Sequence, residues 1–191
     1  VKDSLRRLQT DTIDLYQLHG GTLEDNLNEV IDTFEELKKN GYIREYGISS
    51  IRPNVFMPFS KSAAISNMMQ YNLLDRSAEE YFDALHANGM PVVTRGSLAK
   101  GLLTNDWASK LKPYMNYSEE ELKKLLPQLN NAANLHALAL AFNLHHEVIA
   151  STVIGASSKA QLKQSIEAYE DMPTDFARDI MALLKSDCYQ Q

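Results

Sequence analysis

The sequence predicts an α/β protein forming a single domain over residues 1–191, with about five parallel strands and helices packed outside them. Short apolar runs alternate with segments of helical periodicity, the mark of repeated strand-then-helix units. The first run, Leu15-Tyr16-Gln17-Leu18-His19-Gly20-Gly21, ends on a histidine and two glycines. A titratable group at such a strand tip stands where parallel barrels keep their chemistry. With 44% hydrophobic and 23% charged residues, the chain carries enough apolar material for a sizeable core.

The strands are expected at Ile13 to His19, Ile43 to Ser49, Ala64 to Gln70, Pro91 to Arg95 and Ala150 to Gly155. Lys2 to Leu8 reads as the middle of an amphipathic helix. Together with Val1 in place of an initiator Met, this makes the chain read as the later part of something longer. Between the first two strands Leu27, Val30, Ile31, Phe34 and Leu37 recur at helical spacing, with Glu24 and Asp25 at the positive end and Gly41 as a stop. Ser77 with Glu80 forms a capping-box pattern before Tyr81, Ala84 and Leu85, and Ser118 with Glu121 repeats it before Leu122, Leu125 and Leu126. Ala132 to Leu144 predicts a mostly buried helix, and Ser158 with Gln161 opens another through Leu162, Ile166 and Tyr169. Phe176, Ile180, Leu183 and Leu184 predict a last helix, and the long gap from Gly96 to Ala150 reads as an inserted active-site loop.

The net charge of −6, with no basic stripe, argues against nucleic acid or an anionic membrane as partner. No apolar run approaches the roughly 20 residues that span a bilayer. Cys188 is the single cysteine, so an internal disulfide and a thiolate metal cage are both excluded, and a cytoplasmic setting fits. His86, His136 and the exposed-looking pair His145-His146 have no metal-site spacing, so no metal is expected. No Gly-x-Ser-x-Gly elbow is present. Five strand-helix units fit either an open doubly wound sheet or an incomplete barrel, and periodicity does not choose. A doubly wound dinucleotide fold carries Gly-x-Gly-x-x-Gly after its first strand, a spacing that His19-Gly20-Gly21-Thr22 lacks.

An ordered series of segments resembles the aldo-keto reductases. It runs from Ser4-Leu5-Arg6-Arg7-Leu8-Gln9-Thr10-Asp11 and Ile13-Asp14-Leu15-Tyr16-Gln17-Leu18-His19 through Gly41-Tyr42-Ile43-Arg44-Glu45-Tyr46-Gly47-Ile48-Ser49-Ser50 and Gln70-Tyr71-Asn72-Leu73-Leu74-Asp75-Arg76. Leu98-Ala99-Lys100-Gly101-Leu102-Leu103-Thr104 and Ile154-Gly155-Ala156-Ser157 complete it. The resemblance implies an incomplete (β/α)8 barrel, with these strands as the fourth to eighth and the N-terminal strands missing. It also implies NADP(H) as cofactor. An open barrel exposes two strand edges, so an N-terminal piece or a second copy of the chain is expected to cover them.

The family uses a tyrosine acid tuned by a lysine and an aspartate, and a histidine that hydrogen-bonds the substrate carbonyl; of these only the histidine matches here, at His19. Ser49 and Ser50 match a Ser-Asn pair that holds the nicotinamide carboxamide, Ser50 departing from the Asn. Met68 stands where the family's carboxamide-gripping glutamine belongs, and Gln70, two residues on and on the same strand face, is the substitute. Arg95 replaces an aromatic ring against the nicotinamide; a guanidinium both stacks on flat rings and meets phosphate. Gly96, Ser97, Leu98 and Lys100 match the diphosphate-binding loop, with Asp106 near where relatives carry a lysine. Ser157, Gln161, Gln164 and Ser165 match the adenosine-binding helix, Gln164-Ser165 replacing a Glu-Asn pair, while Lys159 and Lys163 lean toward NADPH over NADH.

The function implied is reduction of small aldehyde or ketone substrates by an NADP(H)-dependent enzyme. This chain by itself is expected to be inactive, because no residue in it matches the Asp, Tyr and Lys. The alternatives are a cofactor-sensing interaction protein, a use made of the potassium-channel beta subunits of the same superfamily, or a catalytically inert truncated chain.

Overall fold

The computed structural model describes residues 1–174 and 178–186, with backbone alone at 178–179. Phe176 and Cys188 lie outside the described residues. In chain order the elements are α1 (Lys2–Leu8), β1 (Ile13–His19), α2 (Leu27–Lys39), β2 (Ile43–Ser49), α3 (Pro53–Phe59), β3 (Asn67–Gln70), α4 (Phe82–Ala87) and β4 (Val92–Arg95). They continue with α5 (Trp107–Lys110), α6 (Glu119–Ala132), α7 (Leu135–Leu144), β5 (Ile149–Val153), α8 (Lys159–Glu170) and α9 (Arg178–Met181). The strands form an open parallel sheet in the order β1-β2-β3-β4-β5, the α/β architecture that the alternating pattern predicts. The chain makes two compact units, one of residues 1–69 and 81–92, the other of 70–80 and 93–191, so the division runs through β3 and β4.

The first unit is built on rings. Phe34 of α2 stacks on Tyr46 of β2 at 5.1 Å between centroids and meets Tyr16 of β1 and Phe59 of α3. Tyr46 and Phe59 are fully buried. Since successive strand residues alternate faces, Tyr16 and Tyr46 turned toward α2 put His19 and Ser49, three residues further on, on the opposite face. Gly47 is needed for a close approach: a Cβ there would stand 2.7 Å from the Ser66 carbonyl oxygen.

The second unit is built on buried helices and polar ties. Nine of the ten residues of α7 are buried, and Leu122, Leu126 and Leu129 of α6 are shut off from solvent. Ser118 and Glu121 form the expected capping box, the serine hydroxyl accepting from the Glu121 N–H while the Glu121 carboxylate accepts from the Ser118 N–H.

Several local expectations need correction. The second capping box does not form: the Ser77 hydroxyl donates to Asp75, and α4 begins at Phe82 after a short turn with no side-chain cap. Ala64 to Ser66 precede β3, because the Ser62 hydroxyl accepts from the Ala64 N–H and holds a turn there. β5 starts at Ile149 and ends at Val153, one residue early and two residues short. The segment from Ala132 to Leu144 is not one helix. Asn134 interrupts it by accepting from the N–H groups of His136 and Ala137, which starts α7 afresh. Leu162, Ile166 and Tyr169 of α8 are more than half exposed, and the helix buries Ala168 against Ala137 and Leu140.

Candidate active site

In the first unit His19 is the last residue of β1 and is exposed. It lies in register with Ser49, the last residue of β2, and the Gly20 N–H donates to the Ser49 carbonyl, closing the two strand ends together. The imidazole has no hydrogen-bond partner among the described residues, so its donor is free for a ligand. Ser49 is in register with Met68 in turn, which puts the thioether on the same face of the sheet. Ser50 is buried; its N–H donates to Asn67 Oδ1 at 3.3 Å and its hydroxyl accepts from the Arg52 N–H at 3.2 Å. That hydroxyl still has a proton to give.

In the second unit Gln70 ends β3 and Arg95 ends β4. Gln70 Nε2 donates to Asp75 Oδ2 at 2.6 Å, and Arg95 Nη1 donates to Gln70 Oε1 at 3.4 Å. The loop after β4 is set by its backbone: Gly96, Ala99, Lys100 and Gly101 all have positive φ, at 70°, 46°, 58° and 94°. Ala99 and Lys100 are strained in that region, and the turns are closed from within, the Ala99 N–H donating to the Gly96 carbonyl and the Gly101 and Leu103 N–H groups to the Leu98 carbonyl. Buried polar groups hold it. The Ser97 hydroxyl pairs with Thr152 at 2.5 Å and donates to Asn143 Oδ1 at 3.2 Å, while Asn72 Nδ2 donates to the Gly96 carbonyl at 2.9 Å.

A cavity of about 380 Å³ opens beside this loop, lined by Gly96, Ser97, Leu98, Lys100, Gln161, Gln164 and Ser165. Seven residues expected at a cofactor therefore share one cavity. Lys110, Asp106 and His136 line it too. Ser157 is absent from that wall; its N–H and hydroxyl both donate to Gln161 Oε1, at 2.8 and 2.9 Å. Lys100 of the loop, Lys110 of α5 and the polar side chains Gln161, Gln164 and Ser165 of α8 fit the charged and polar parts of a dinucleotide, with Asp106 opposing its phosphates.

Two histidines set aside in the sequence are partly or wholly enclosed. His136 is buried on the cavity wall with Nε2 unpaired, and burial pushes its pKa down, so the ring is held neutral. His146, expected to be exposed, is half-buried against Tyr71, with 2.9 Å between Nε2 and the phenol oxygen. Tyr71 also donates to Glu79, which Arg76 grips with two bonds, and burial drives the Tyr71 pKa far up. No sequence spacing points to either placement, since His146 meets a residue 75 positions away and the burial of His136 comes from packing. Among the described residues no His, Cys, Asp and Glu cluster suits a metal ion.

The structure thus has a parallel α/β sheet, a histidine at one strand tip and a glycine-rich loop beside a cavity after another. The aldo/keto reductase family model matches residues 1–185, and the chain belongs to that family. It is 48% identical over 178 residues to YqkF, an uncharacterized oxidoreductase of Bacillus subtilis, covering 88% of this chain and 58% of that protein. L-galactose dehydrogenase of Arabidopsis thaliana is 25% identical over 90% of this chain and 57% of its own. Among solved structures, aldo-keto reductase AKR11C1 from Bacillus halodurans, holo form, superimposes with a TM-score of 0.93 at 49% identity, over 100% of this chain and 65% of that one. The chain thus spans less than two thirds of these relatives. No helix among the described residues is long and apolar enough to cross a membrane.

Proposed function

We propose that the full-length protein is an NADPH-dependent reductase of aldehyde or ketone carbonyls. The observation that carries this reading is His19, a free imidazole at a strand tip, in register with Ser49 and on the sheet face turned away from α2. When bound, the reduced nicotinamide supplies hydride to the carbonyl carbon. Negative charge then grows on the carbonyl oxygen, and the His19 N–H stabilises it. Ser49 and Ser50 orient the carboxamide, Ser50 through its free hydroxyl proton. In the second unit the loop from Gly96 to Gly101 takes the diphosphate with Lys100, and Gln161, Gln164 and Ser165 take the adenosine.

The family's Asp, Tyr and Lys have no match in this chain, so the chain alone lacks the acid that protonates the oxygen. Met68, in register with Ser49 where the family keeps a glutamine, supports a second reading, a cofactor-sensing interaction protein. NADPH fluorescence on the full-length protein separates the two. Quenching on binding followed by turnover of an aldehyde panel supports the reductase, and tight binding without turnover supports the sensor. Absence of binding removes both.

A further inference from the structure

We propose that Lys185 is a positioning residue: it straps the segment after α9 onto the turn at 114–117, and that turn sets the loop after β4, so the strap tunes cofactor affinity. The effect on the cofactor rests on the reductase reading. All the residues concerned belong to the second unit. The Lys185 N–H donates to the Tyr117 hydroxyl at 2.7 Å, and Nζ donates to the Asn116 carbonyl at 2.5 Å while pairing with Glu121 at 2.8 Å. Nζ also stands 4.7 Å from the centre of the Tyr117 ring, within reach of a cation–π attraction. Lys185 first, then the Ser118 N–H and hydroxyl, hold the Glu121 carboxyl down at about 2, so its negative charge is present throughout the neutral range. A surface ion pair alone contributes little, but here one residue grips a hydroxyl, a carbonyl, a carboxylate and a ring.

The gripped turn reaches the loop in two steps. Tyr114 and Tyr117 exchange backbone hydrogen bonds, each N–H donating to the other's carbonyl at 3.0 and 2.9 Å, with Met115 between them at a φ of 49°. Both tyrosines are buried, so the turn cannot shift without moving packed rings. The Tyr114 hydroxyl accepts from Asn72 Nδ2 at 3.0 Å, and the same nitrogen donates to the Gly96 carbonyl at 2.9 Å. Asn72 is fully buried, and its two amide protons are divided between the turn and the first residue of the loop. A displaced Tyr114 would leave one of those protons unpaired in the interior, a cost relieved only if the amide moves and releases Gly96. Strained Ala99 and Lys100 follow Gly96, so the loop depends on that tie. Ile180 and Leu184 are buried, while Lys185 is only half-buried, so replacing the lysine loosens the strap without unfolding the unit.

The test is amide hydrogen exchange on the full-length protein without nucleotide, comparing Lys185→Met and Lys185→Arg with the unmodified chain, followed by the NADPH Kd and kcat of each. In Lys185→Met, exchange is expected to quicken about tenfold at residues 183–186 and 114–117, and about threefold or more in the loop at 96–101. The NADPH Kd is expected to rise about threefold to tenfold while kcat stays within about twofold. Lys185→Arg, which can still pair with Glu121, is expected to recover most of both. Bound NADPH is expected to slow exchange at 183–186 in the unmodified protein, since coupling is reciprocal. Faster exchange at 183–186 with an unchanged loop and an unchanged Kd would reveal a strap that is structural only, and overturns the proposal while leaving the reductase standing. Unchanged exchange at 183–186 in Lys185→Met overturns it too. If the unmodified protein does not bind NADPH, the reductase reading falls, and exchange in the loop alone decides whether Lys185 positions it.

Discussion

The two units secure their strand ends by opposite means. In the first, Tyr16, Phe34, Tyr46 and Phe59 form a ring-packed core beneath β1 and β2, and His19 stands beyond it with no side-chain tie. In the second, Asn72, Ser97 and Asn143 are buried polar groups whose hydrogen bonds hold the loop after β4, and buried Asp75 ties Gln70 at the end of β3. A group that must donate to a reacting oxygen has to keep its donor free, so its strand is fixed by packing. A loop that holds strained backbone is fixed instead by hydrogen bonds.

Removing a ring from the first unit has the largest expected effect. Phe34→Ala is expected to cost about 3–5 kcal/mol, read as a lower urea midpoint, because the rings of Tyr16, Tyr46 and Phe59 lose their common partner. A loss below about 1 kcal/mol would mean that the ring cluster does not hold this unit. Asn143→Ala in the second unit is expected to cost about 1–3 kcal/mol, since it strips a partner from the buried Ser97 hydroxyl. It is also expected to raise the NADPH Kd, and a stability loss with unchanged Kd would separate that network from cofactor binding.

The smallest effect is one of pH. Tyr46 is pushed up to about 12 by burial and by donating to Glu35 at 2.6 Å. Its folded-state pKa lies above the free value of 10.0, so the phenol's contribution is complete below pH 10 and is lost as the pH rises toward about 12. Stability measured across that window is expected to fall, with a shallower slope in Tyr46→Phe. Equal slopes would place the titrating group elsewhere.

Much of this division is legible in the sequence, and where it is not the cause is non-local. β1 and β2 fall at the residues their apolar runs predict, and α2 follows the period of Leu27, Val30, Ile31, Phe34 and Leu37, because strand and helix periods are local properties. The Ser118 box forms and the Ser77 box does not, although both have the same spacing. Ser77 is drawn to Asp75, a competitor that a capping pattern does not contain. His19 stands out in the sequence by its place at a strand end, and the loop from Gly96 to Gly101 by its resemblance to a segment of the family. The partners that set Gln70 and Arg95, and the burial of His136, depend on segments brought together from distant parts of the chain, where no periodicity reports them. Gln161 is likewise legible as a polar residue of α8, while its grip on Ser157 is a matter of side-chain geometry.

The most direct test of the central claim is His19→Ala in the full-length protein, with kcat and the NADPH Kd measured side by side. If the imidazole donates to the developing oxyanion, kcat falls about 10²–10³-fold. The Kd then stays within about twofold, because an interaction made only in the transition state has been removed. Equal losses in kcat and in NADPH affinity, or turnover at the unmodified rate, would contradict the assignment and leave His19 a structural residue at the end of its strand.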